Sequence, residues 1–113
     1  MTTEKLTKFC LSLSGVTQGI KWEDHLCFMV ADKMFCITGL TDDSNISIKV
    51  DVEAFEDICE RDGITPSRYL SRYCWVSIEK RNALKPKEWE YFLTRSYELV
   101  KSKLPKKVQQ TLK

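Results

Sequence analysis

Between Pro66 and Val76 the chain reads Pro-Ser-Arg-Tyr-Leu-Ser-Arg-Tyr-Cys-Trp-Val, which sets Arg68 and Arg72 each directly ahead of a tyrosine and places Trp75 just beyond. A guanidinium is a permanent charge with a flat face, and an aromatic ring is a stacking surface, so the alternation suits a grip on a polyanion. The following loop adds Lys80 and Arg81, and the end of the chain adds Lys101, Lys103, Lys106 and Lys107. Phosphate contact by these cations, with Tyr69 or Tyr73 against a sugar or an exposed base, is one reading. The other is structural. Tyr69, Leu70 and Trp75 would then belong to the core, with the arginine stems covering apolar surface.

Other residue types that do chemistry are present without the partners they need. His25 is the single histidine and follows Glu23 and Asp24, a conceivable general base with an orienting carboxylate, although a hairpin edge with solvated neighbours explains the trio as well. The glycines at 15, 19, 39 and 63 form no phosphate-cradling loop. Glu53, Glu56, Asp57, Glu60 and Asp62 follow helical spacing, which spreads carboxylates along a wet face and lacks the loop geometry of a calcium site. Cys10, Cys27, Cys36, Cys59 and Cys74 are odd in number and contain no Cys-x-x-Cys, so they read as buried free thiols. The expectation is a protein that is not an enzyme and has no metal site and no cofactor.

At 113 residues the chain is one domain by length, and its apolar and charged fractions, 42% and 30%, are those of a globular protein. It has no apolar run of the roughly twenty residues a membrane span needs and no basic, then apolar, leader, which points to the cytoplasm. The net charge of +2 conceals a division. Residues 1–65 carry 6 Lys/Arg against 12 Asp/Glu, and residues 66–113 carry 12 against 4. A basic C-terminal half could face a nucleic acid.

Elements able to position these residues can be read from periodicity. Leu6, Phe9, Cys10 and Leu13 give a first amphipathic helix closed at Gly15. Leu26, Phe28 and Val30 alternate before Ala31-Asp32-Lys33, and Phe35 and Ile37 after it, which predicts a hairpin; a third strand follows over Ser44 to Val50. Asp51 is placed to cap a second helix through Cys59, closed at Gly63. Pro66 suits the start of a short helix through Leu70, and Cys74, Val76 and Ile78 alternate as a fourth strand. A last helix begins at Pro86 and ends at Pro105, leaving a basic tail, 105–113, expected to fray. The order α-β-β-β-α-(short α)-β-α predicts a two-layer α+β fold with helices on one face of an antiparallel sheet, in a single domain over 1–113.

Several separated pieces give this order a kinship. They are Cys10-Leu-Ser-Leu-Ser-Gly-Val-Thr17, Lys21-Trp22, Lys33-Met34-Phe35, Pro66-x-x-Tyr69-Leu70, Trp75-Val76, Ser96-Tyr97-x-Leu99-Val100 and Lys103-Leu104-Pro105. In that order they resemble the MmcQ/YjbR family over nearly the whole chain, with Leu13-Ser14-Gly15 standing where that family often has Leu-Pro-Gly. The resemblance implies a compact α+β domain similar to the CyaY-like and secretion-chaperone-like folds, and a DNA-binding role argued for the family from its likeness to a double-wing domain. It implies no catalytic residue. Two functions follow as expectations: a DNA-binding protein that holds the phosphate backbone through Arg68, Arg72, Lys80, Arg81, Lys101, Lys103, Lys106 and Lys107, or a protein-interaction module that binds through its sheet face or a strand edge.

Overall fold

A computed structural model of the chain describes residues 1–112. Its helices are α1 (Thr3–Leu11), α2 (Phe55–Cys59), α3 (Pro86–Lys101) and α4 (Lys106–Gln110). Its strands are β1 (Val16–Lys21), β2 (His25–Val30), β3 (Lys33–Thr38), β4 (Ile46–Lys49), β5 (Ile64–Pro66) and β6 (Trp75–Ile78), with 3-10 turns at Ser71–Tyr73 and Arg81–Ala83. The six strands form one antiparallel sheet in the order β1-β2-β3-β4-β6-β5. The α+β class and the helix-on-sheet layering are as the sequence predicts.

The core is the face of the sheet that the helices cover. Phe28, Cys36, Ile46, Ile48, Val76 and Ile78 line it from the strands, and Leu6, Trp89 and Leu93 meet them from α1 and α3. The β2–β3 hairpin turns on Ala31 and Asp32 with φ of 48° and 65°, the two left-handed residues that a tight turn matching strand twist requires. One extra residue, Phe35, bulges from β3 between the pairs Phe28–Cys36 and Met29–Met34 and adds its buried ring to the core.

The pairing of β3 with β4 runs from Thr38–Ile46 to Cys36–Ile48 and stops there. At the next position a helix residue takes over. Ser96 of α3, fully buried, accepts from the Lys49 amide at 3.0 Å and donates to the Phe35 carbonyl at 2.6 Å. A hydroxyl both donates and accepts, so it satisfies two backbone groups that the parting strands leave behind.

The structure adds two strands and shortens one helix relative to the pattern in the sequence. The sequence pattern assigns no strand over β1, where Gly19 interrupts the alternation. β5 has only three residues, and Pro66 ends it instead of opening a helix. At a sheet edge the missing N–H of proline costs no ladder bond. Asp51 does not cap α2, which starts after Ala54. Its carboxylate is drawn to Arg95, with Oδ1 2.6 Å from Nη2 and Oδ2 3.0 Å from Nε. The segment expected to fray holds α4, and Leu112 packs against the core. Lys113, the last residue of that expected tail, lies outside the described residues. The five cysteines are free, with Cys10, Cys27 and Cys36 buried.

Candidate nucleic-acid interface

The loop between β5 and β6 carries Arg68, Tyr69, Arg72 and Tyr73 on the surface. Tyr69 is 81% exposed and Tyr73 53%, which removes Tyr69 from the core that the sequence offered it. Each arginine lies over its neighbouring ring, Arg68 at 5.7 Å from the Tyr69 centroid and Arg72 at 5.2 Å from that of Tyr73. At these distances each guanidinium is drawn to the ring beside it by cation–π attraction. Trp75 is buried, and Leu70 half-buried, so those two anchor the loop.

Leu70 and Trp75 also form part of the floor of a groove of about 280 Å³, completed by Met34, Val100 and Leu104. Three lysines rim it: Lys33 from the start of β3, Lys49 from the end of β4, and Lys103 just beyond α3. The groove lies between the start of β3, the end of β4 and the end of α3. Among the described residues, no ion pair engages Lys33, Lys49, Lys103, Arg68 or Arg72. Five uncompensated cations therefore sit on or beside one loop and groove with two exposed rings.

The remaining cations named from the sequence do not join this surface alike. Arg81 is turned inward. Its side chain is 9% exposed and donates to the Ser44 carbonyl from Nε at 3.2 Å and Nη2 at 3.1 Å, to the Thr41 carbonyl at 3.0 Å and to Thr3 Oγ1 at 3.0 Å. Burial pulls its pKa down and the nearby Asp42 and Asp43 charges push it back up. It is a strut that ties the β3–β4 loop to α1, and no N–H face is left for phosphate. Lys80 is exposed and paired with Asp62 at 2.7 Å, which raises its pKa. Lys101 lies over the Tyr97 ring at 5.5 Å, and Lys106 and Lys107 are exposed on α4.

Sequence reasoning missed Lys33 and Lys49 because both belong to the acidic half of the chain. The readable sign was the end of each strand. Lys49 closes the alternation Ile46-Ser-Ile48 and pairs with Trp75, and Lys33 follows the turn. His25 stands at the start of β2, half exposed, with Nδ1 2.9 Å from Asp24 Oδ1 and its ring edge-on to Trp22. It lines neither this groove nor the larger one between α1 and α3. Among the described residues no group of three or more His, Cys, Asp or Glu is placed to hold a metal ion, and no helix is long and apolar enough to cross a membrane.

These features define an α+β sheet domain with helices on one face and a cationic, tyrosine-edged surface. The chain belongs to the YjbR family, whose model matches residues 11–99. The structure of Deinococcus radiodurans protein DR2400, described by the family domain DUF419, is similar with a TM-score of 0.88 and 25% identity over 98% of this chain and 87% of that one. A protein from Pseudomonas syringae shares the fold with a TM-score of 0.74 and 19% identity, over 88% of this chain and 99% of its own. No curated protein sequence matches.

Proposed function

We propose that the domain is a non-enzymatic DNA-binding protein that holds the phosphate backbone through Arg68, Arg72, Lys33, Lys49 and Lys103. The observation that carries the reading is the uncompensated set of cations beside Tyr69 and Tyr73, whose exposed rings offer flat surfaces to sugar or base. Lys101, Lys106 and Lys107 add charge at the C-terminal end. Arg81, spent on backbone carbonyls, has no part in it. Contact is to the backbone and carries no sequence preference.

Anisotropy of a labelled random duplex across salt tests this. Each neutralised phosphate contributes about −0.9 to the log–log slope. The full chain is expected to bind at low salt with a slope of several units, and Arg68→Ala/Arg72→Ala and Lys33→Ala/Lys49→Ala each to flatten it by about two. No binding at low salt, or a flat slope, rejects the reading. The rival is a protein-interaction module, favoured by the free edge of β1, where Ile20 is 54% exposed, with Trp22 in the turn just beyond it 62% exposed. It predicts no salt-dependent duplex binding.

A further inference from the structure

The larger concavity of the molecule lies between α1 and the first turn of α3, an open groove of about 730 Å³. Its floor is Phe9, Leu84, Pro86 and Trp89, and its rim carries Lys5, Lys8 and Lys85. That volume falls within the range of about 300–1,000 Å³ typical of sites for small organic ligands, which are mostly apolar with a few placed polar groups.

The charge on this groove is one-sided. Lys5 and Lys8 stand three residues apart on α1, so they share a side of the helix, where like charges repel. Among the described residues no ion pair relieves them or Lys85. Glu90 is the single carboxylate in the lining, and Arg81, which also lines it, has committed its N–H groups elsewhere. The floor offers no free donor from its indole either, because Trp89 Nε1 donates to the Arg81 carbonyl at 2.9 Å. What fits is a molecule whose apolar body rests on Phe9 and Pro86, above the buried Leu84 and Trp89, and whose anionic end meets the lysines.

We propose that this groove binds a small amphipathic carboxylate, an alkyl or aryl body with one anionic head. The site is distinct in residues from the DNA surface and does not depend on it. Titration of the full chain with decanoate, kept below its micellar concentration and followed by amide chemical shifts, tests the assignment. Saturable binding with a dissociation constant below about 1 mM is expected. Shift changes should centre on Phe9, Ser12 and Leu84. Lys5→Glu/Lys8→Glu, both on exposed positions, should weaken binding at least tenfold with the fold intact by the same spectra, whereas Arg68→Ala/Arg72→Ala should leave it unchanged.

Decylammonium, with the same tail and the opposite head, should bind more weakly than decanoate. Equal binding of the two, absence of saturation, or shifts centred on Tyr69 to Trp75 overturns the proposal. So does tenfold tighter binding of a glutamate-flanked amphipathic peptide in the same groove, which would assign it to a partner protein's helix. Loss of duplex binding with decanoate binding retained would reject the DNA reading alone.

Discussion

Arg68 and Arg81 carry the same guanidinium, yet one lies on a tyrosine ring at the surface and the other closes the space between α1 and the β3–β4 loop. What separates them is the supply of carbonyl oxygens. Ser44 and Thr41 turn theirs inward, and only a forked, permanently charged donor reaches both. Nothing in the local sequence distinguished the two residues, since Arg81 follows Lys80 in a loop that reads as basic and exposed. Arg81→Ala is therefore expected to cost about 1–3 kcal/mol of folding stability, because it removes a guanidinium that satisfies several part-buried acceptors at once. Arg81→Lys should recover little of that. Arg68→Ala/Arg72→Ala should change stability by less than about 1 kcal/mol. Urea denaturation midpoints check the contrast, and a neutral Arg81→Ala would return that residue to the surface.

At the scale of elements, α3 was legible because three independent signals agreed: Pro86 at its start, Glu88 near the positive end of the dipole, and an apolar stripe through Trp89 and Leu93. β1 and β5 were not, since β1 alternates weakly and β5 is too short to show a period. The helix signal of Asp51 misled for a physical reason: a carboxylate that would cap α2 gains more from the two-pronged bond to Arg95. Ser96 would have passed as a stray polar residue within the stripe. Its hydroxyl closes the sheet where β3 and β4 part, so Ser96→Ala is expected to cost about 1–3 kcal/mol by stranding the Lys49 amide and the Phe35 carbonyl. Thermal unfolding measures it, and a loss below about 0.5 kcal/mol would show that water replaces the hydroxyl.

Across the whole molecule, the acidic and basic halves of the sequence are not halves in space. Lys33 and Lys49 leave the acidic half to join Lys103, while Arg61–Glu88, Lys80–Asp62 and Arg95–Asp51 tie the halves together. That is why the charge division pointed to Arg68, Arg72 and Lys103 and missed Lys33 and Lys49. Two of these pairs also set the response to acid. The Arg61 guanidinium, helped by the Lys85 amide, holds the Glu88 carboxyl at about 2, and Arg95 holds Asp51 below the usual carboxylate range. A carboxyl with a depressed folded-state pKa stabilises the fold above its unfolded value near 4 and loses that contribution as pH falls toward the folded value. Stability should thus decline from about pH 4.5 toward pH 2. In Glu88→Gln/Asp51→Asn the decline should be shallower, as read from urea midpoints across that range. An identical slope in the variant would place the acid sensitivity elsewhere.

The far end of the chain closes the beginning. Ser14, in the bend after α1, donates its hydroxyl to the Leu112 carbonyl at 2.6 Å, and Tyr97 donates to the Ser14 carbonyl at 2.5 Å. During synthesis the first helix and the first strands leave the ribosome well before the residues that fasten them, and contacts so distant along the chain form late. A nascent chain arrested before Pro105 would carry a sheet whose opening bend is unfastened. Protease sensitivity at Ser14 and Gly15 should then persist until residue 112 has emerged, which makes completion of this domain an event timed by translation.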